Sequence, residues 1–169
     1  YGHKEATDII IAMGSVTETI KEVIDYLIEK ENRKVGLITV HLFRPFSAKH
    51  FLKVMPKTVK RIAVLERTKE QGSAGEPLLL DVKSVFYGME NAPLIIGGRY
   101  GLSSKDTNPP QILAVYDNLA KGENAKHPFT IGIVDDVTFT SLDITKNIDV
   151  LSDEVSQLIF YGLGSDGTV

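Results

Sequence analysis

Three glycines near the end of the chain, Gly162, Gly164 and Gly167, stand in the spacing G-x-G-x-x-G after a short apolar run. Glycines so placed let a backbone approach a phosphate closely, and a helix opening behind them favours the anion. With Ser165 they form a candidate cofactor-binding turn. A plain tight turn explains the same glycines, and the acidic residue that would complete a dinucleotide fingerprint falls past Val169. A second set is basic. Arg44, Arg67, Lys69, Arg99 and Lys105 each follow a short apolar run, the last four in long loops that also carry glycine. Loops of this kind on one edge of a sheet can meet an anionic group or a partner domain; solvation alone also accounts for them. They are the candidate interdomain contacts.

No complete catalytic set emerges. Asp135 and Asp136 are neighbours, and on an extended chain adjacent side chains point to opposite faces, so a shared proton or metal is not expected. His3, His41, His50 and His127 lack metal-ligand spacing, and Ser15, Ser73 and Ser104 lack the G-x-S-x-G elbow. Cysteine is absent, which excludes disulfides, thiolate-held clusters and cysteine-ligated zinc within these residues. Catalytic residues and metal ligands are therefore expected to be none.

The elements that must position these groups alternate. Asp8 to Met13 reads as a strand buried on both faces, ending at Gly14. Ser15 and Glu18 form a capping-box pattern, and Ile20, Val23, Ile24, Leu27 and Ile28 recur at helical spacing. Val35 to Leu42 is a second strand, and Arg44-Pro45-Phe46 stops it. Ser47 opens a short helix, Arg61 to Leu65 is a third strand, and Pro77 suits the first turn of the next helix. Pro93 to Gly97 is a fourth strand, and Pro109-Pro110 opens a helix with Ile112, Leu113, Tyr116 and Leu119 on one face. This alternation predicts a three-layer α/β/α domain with a mostly parallel sheet. Phe129 to Val134 can add one more strand, whereas 135–149 has no helical period. Gln157 to Tyr161 reads as a further strand leading into the glycine turn. The expected division is an α/β domain at 1–124, an irregular connection at 125–152, and the truncated start of another domain at 153–169.

The chain of 169 residues suits one domain and part of a second. Nineteen basic against 22 acidic residues give a net charge of −3, so electrostatic capture of nucleic acid or an anionic membrane is not expected. No apolar run approaches the roughly 20 residues of a membrane span. The opening Tyr1-Gly2-His3 is neither a signal peptide nor a Met start, and reads as an internal cut.

Several segments together resemble one family. They are Met13-Gly14-Ser15 with Glu18-Thr19, Val40 to Phe46, Val64 to Glu70, Gly98 to Lys105, Gly132 to Thr138, and Tyr161 to Val169. In this order they are similar to pyruvate:ferredoxin (flavodoxin) oxidoreductase, over essentially the whole chain. The resemblance implies a large homodimeric, cytoplasmic parent that converts pyruvate to acetyl-CoA and passes electrons to ferredoxin or flavodoxin. It implies thiamine diphosphate, magnesium, iron–sulfur clusters and coenzyme A in that parent, none held by the residues present here. It also implies a five-stranded domain like the transketolase C-terminal domain, with an antiparallel edge near or before Tyr1. Residues from Tyr161 onward are similar to the start of a coenzyme A-associated domain. The expected role is a non-catalytic structural domain, inactive alone; the alternative is a module binding an anionic cofactor, coenzyme A or a nucleotide.

Overall fold

A computed structural model describes residues 1–152, 154–162 and 164. Among these residues five strands alternate with four α-helices: β1 (Asp8–Ala12), α1 (Val16–Glu31), β2 (Val35–Thr39), α2 (Ala48–Val54), β3 (Arg61–Glu66), α3 (Pro77–Phe86), β4 (Leu94–Arg99), α4 (Pro109–Ala120) and β5 (Phe129–Thr130). The sheet order is β2-β1-β3-β4-β5, and every pairing is parallel. This is the three-layer α/β/α architecture that the alternation and the resemblance both predict. Among the described residues one antiparallel contact joins the sheet, a bridge from Gly2 to Gly36 at the outer edge of β2. There Tyr1 and Leu37 exchange two backbone hydrogen bonds of 2.9 Å.

Burial on both faces explains the unbroken apolar runs. Along β1 and β3, Ile10, Ala12, Ala63 and Leu65 face α1 and α4, whereas Ile9, Ile11, Ile62 and Val64 face α2 and α3. Tyr116 of α4 is fully buried, and its hydroxyl donates to the Gly36 carbonyl at 2.9 Å. Burial pushes that phenol well above its ordinary pKa. At the amino ends of the strands Asp8 and Arg61 are register partners, and Arg61 Nη2 donates to Asp8 Oδ2 at 2.9 Å.

The helix starts differ in how their free N–H groups are met. Ser47 and Asn108 act as caps, and Asn108 forms a full capping box with Gln111. Ser15 does not cap α1. Gly14, at φ +75°, turns the chain so sharply that Ser15 already has helical angles, φ −66° and ψ −23°, where a cap needs extended backbone. The Thr17 hydroxyl donates to the Gly14 carbonyl at 2.7 Å instead, and Glu18 pairs with Lys21 at 2.8 Å.

Beyond β5 the chain folds back, and Thr140 to Leu142 run beside Thr130, bonding it at 2.9 Å on both sides. Ile131 and Ile148 reach the core shared by α1 and α4. The strand expected at Gln157 to Tyr161 does not form. Tyr1 to His3 border β2 and Thr140 to Leu142 border β5, so neither sheet edge offers this segment a ladder, and Leu158 to Tyr161 are exposed.

His127 closes a gap in the β4 ladder. Its Nδ1 accepts from the Gly97 N–H at 3.0 Å, in place of a backbone carbonyl. Burial of the ring, with Lys83 beside it, lowers its pKa. A depressed folded value means that this contribution is present above about pH 6.5 and is lost as pH falls through the folded pKa. Denaturant midpoints between pH 7 and 5 are expected to decline more steeply in the native chain than in His127→Gln.

Candidate functional site

The carboxyl ends of the strands carry the candidate charges. Glu66 closes β3, and its carboxylate reaches the start of α3: Oε1 accepts from the Leu78 N–H and Oε2 from the Leu79 N–H, both at 2.9 Å. Glu76 precedes α3 without capping it through its side chain, so Glu66 supplies that cap from another element. Burial raises the Glu66 pKa, and the two N–H bonds oppose that rise. Glu76 turns to Arg99, whose Nε donates to Oε1 at 2.6 Å, and both side chains are largely buried.

The five basic candidates separate. Arg99 points inward to Glu76. Arg44 lies over the Phe43 ring, 3.9 Å from its centroid, and pairs with Asp81 of α3. Lys69 is exposed in the loop after β3. Arg67 and Lys105 come together: they line one cavity of about 390 Å³ with Ser15, Thr19, Tyr100 and Asp106. Tyr100 fixes its floor by donating its hydroxyl to the Met13 carbonyl at 3.2 Å. Of the glycine-turn candidates, Gly162 and Gly164 are among the described residues, with Gly162 exposed. Ser165 and Gly167 lie outside them.

Asp135 organises a loop of its own. It accepts from the Thr138 hydroxyl and N–H, the Thr140 hydroxyl and N–H, and the Val137 N–H. These bonds, Thr138 foremost, hold its carboxyl well below the usual carboxylate range. Asp136 is exposed and takes no part. The loop presents Val134, Val137 and Phe139 to solvent.

Thiolate ligation of iron does not fit, because the sequence has no cysteine. Among the described residues no three His, Asp or Glu side chains converge as a ligand set, and no helix is long and apolar enough to cross a membrane.

Sequence reasoning missed Glu66 as a cap, Tyr100 as a tie and the Asn108 box. Only the last had a local signal, Asn108-x-x-Gln111. The other two depend on which loops the topology makes neighbours.

Comparison with known proteins agrees with the fold. Residues 6–112 match the family model described as pyruvate:ferredoxin oxidoreductase core domain II. The chain is 56% identical over 170 residues to a pyruvate-flavodoxin oxidoreductase of Enterobacter agglomerans, covering 100% of this chain and 14% of that protein. It is 55% identical over 168 residues to a pyruvate:ferredoxin oxidoreductase of Moorella thermoacetica, covering 99% and 14%. It is 53% identical over 173 residues to a pyruvate dehydrogenase [NADP(+)] of Cryptosporidium parvum, covering 100% and 9%. The chain thus spans a small part of the length of the relatives it matches. With its all-parallel sheet of five strands and helices on both faces, it belongs to the core domain II family of pyruvate:ferredoxin oxidoreductases.

Proposed function

We propose that this chain is a framework domain of a larger enzyme that oxidises pyruvate to acetyl-CoA and passes electrons to ferredoxin or flavodoxin. The observation that carries this reading is how the charged groups at the strand ends are used. Glu66 caps α3, Glu76 holds Arg99, Asp81 holds Arg44, and Asp135 ties its own loop. Groups engaged this way hold the domain together and are not poised to exchange protons with a substrate. In this reading thiamine diphosphate, magnesium, the iron–sulfur clusters and coenzyme A are handled by other domains of a cytoplasmic homodimer.

Exposed apolar side chains supply the contacts with those domains. Tyr87 and Val134 are each 91% exposed, and Phe139 is 71% exposed on a loop braced by Asp135. Arg44 and Lys69 follow β2 and β3 at the carboxyl end of the sheet. Residues 125–152 act as a connection anchored on the sheet by Phe129, Ile131 and Ile148, and 153–169 lead toward the next domain. The second reading, a module for coenzyme A or a nucleotide, is favoured by the meeting of Arg67 and Lys105 at one cavity.

The test is turnover. The 169-residue chain, supplied with pyruvate, coenzyme A and thiamine diphosphate, is expected to give no pyruvate-dependent reduction of methyl viologen under conditions where the intact parent does. Turnover by the chain unaided would overturn the reading.

A further inference from the structure

Five arginines occur in the sequence, and four of them have carboxylate partners: Arg33 with Asp117, Arg44 with Asp81, Arg61 with Asp8, and Arg99 with Glu76. Arg67 has none among the described residues. It is held in place all the same. Its Nε donates to the Gly101 carbonyl at 3.1 Å, and its stem packs on Gly101 so closely that a Cβ there would stand 3.2 Å from Arg67 Cδ. Gly101 also has φ +62°, so glycine is required twice over. The guanidinium is thus pinned at Nε while its two terminal nitrogens keep their donors for something else.

Arg67 lines the cavity of about 390 Å³ described above. The cavity sits where the chain leaves β1, β3 and β4, beside the β1/β3 switch point of a sheet ordered 2-1-3-4-5. Ligands of open α/β sheets bind in such crevices, and the volume is within the range of small-molecule sites. Lys105 supplies a second cation, and Asp106 is the one carboxylate in the lining. Ser15 and Thr19 are hydroxyl-bearing residues of the same lining. A fixed guanidinium fork with a nearby ammonium matches a phosphate, which carries charge and several acceptor oxygens. One carboxylate among hydroxyls matches a partner that also donates from hydroxyl groups.

We propose that this crevice binds the phosphate monoester of a polyhydroxyl compound, a sugar phosphate or a nucleoside monophosphate, with Arg67 and Lys105 on the phosphate. The proposal rests on the second reading above, a binding module at this cavity, and is independent of the framework reading, since a domain without reacting groups can still bind a ligand. The two therefore fail separately.

Hydrogen exchange on the intact oxidoreductase tests it, read on peptides covering 13–19 and 99–107. Adenosine monophosphate and glucose 6-phosphate are the probes, with adenosine and glucose as controls; comparing the two probes separates nucleoside from sugar. Millimolar probe is expected to slow exchange in both peptides, and the controls are not. Arg67→Gln is expected to weaken this protection by about tenfold or more, as loss of a charge-assisted bond does. Lys105→Gln, at an exposed position, weakens it less and leaves the fold intact, so it decides the matter if Arg67→Gln does not fold. No protection by either phosphorylated probe, equal protection by the unphosphorylated controls, or protection that survives Lys105→Gln unchanged would each overturn the proposal.

Discussion

Gly98→Ala is expected to lower the stability of the domain by about 3 kcal/mol, the upper part of the range for overpacking a core. Gly98 lies in β4 opposite Phe129 of β5, and a Cβ built on it would stand 2.1 Å from Phe129 Cε2 and 2.2 Å from Cζ. Phe129 is fully buried and sits in the core with Ile131, Leu119 and Tyr116, so the ring has nowhere to go. The added methyl must push β5 away from the sheet or force the ring off its rotamer. Because β5 is only two residues long, the first route detaches the whole of 129–142. Urea unfolding followed by circular dichroism measures the loss. Gly98→Ala combined with Phe129→Leu is expected to recover part of it, because the smaller side chain vacates the space the methyl needs. A single substitution that unfolds at the native midpoint would show that β5 does not press on β4 as described.

Glu66→Ala is expected to cost a similar amount, about 3 kcal/mol, because it strands two buried N–H groups at once. The Leu78 and Leu79 amides lie in the first turn of α3, where no residue of the helix can accept from them. Glu66→Gln keeps one acceptor oxygen but turns an amide N–H₂ toward a backbone N–H, and about 2 kcal/mol is expected to be lost. The pH behaviour separates the variants further. Burial raises the folded pKa of Glu66 above its unfolded value. The stability linked to that proton is therefore full below about pH 4.5 and is lost as pH rises through the folded pKa. Both variants lose this dependence, so their stability deficit relative to the native chain is greatest in acid. Denaturation midpoints at pH 4 and pH 7 measure it, and hydrogen exchange at Leu78 and Leu79 reports where the loss arises.

These two positions also mark what could be read from the sequence and what could not. The strands of the sheet centre were legible because burial on both faces leaves an unbroken apolar run, as in Ile9-Ile10-Ile11 and Ile62-Ala63-Val64-Leu65. Pro77 and Pro109 marked helix starts through their missing N–H. Gly97-Gly98 was legible only as the end of a strand. Its reason, contact with Leu79 on one face and Phe129 on the other, joins positions far apart in the chain. Glu66 read as loop charge for the same reason, since the helix it caps begins eleven residues later. Gln157 to Tyr161 erred in the opposite sense: β-forming residues make no strand where both sheet edges are already bordered. The basic loops were placed correctly on one edge, but their separate fates depended on which acids the topology set beside them. Among the described residues, Arg67 is the arginine with no acid beside it.

In the framework reading proposed above, the charged groups at the strand ends hold this domain together and take no part in the oxidation of pyruvate. The most direct measurement is steady-state pyruvate oxidation by the intact oxidoreductase carrying Glu66→Gln together with Asp135→Asn. The expected result is a lower unfolding temperature and faster exchange in 78–79 and 135–141, with kcat per folded, cofactor-loaded enzyme within about threefold of native, a change in barrier below 1 kcal/mol. A drop in kcat of about a hundredfold or more with stability and cofactor content unchanged, worth nearly 3 kcal/mol of transition-state stabilisation, would contradict it.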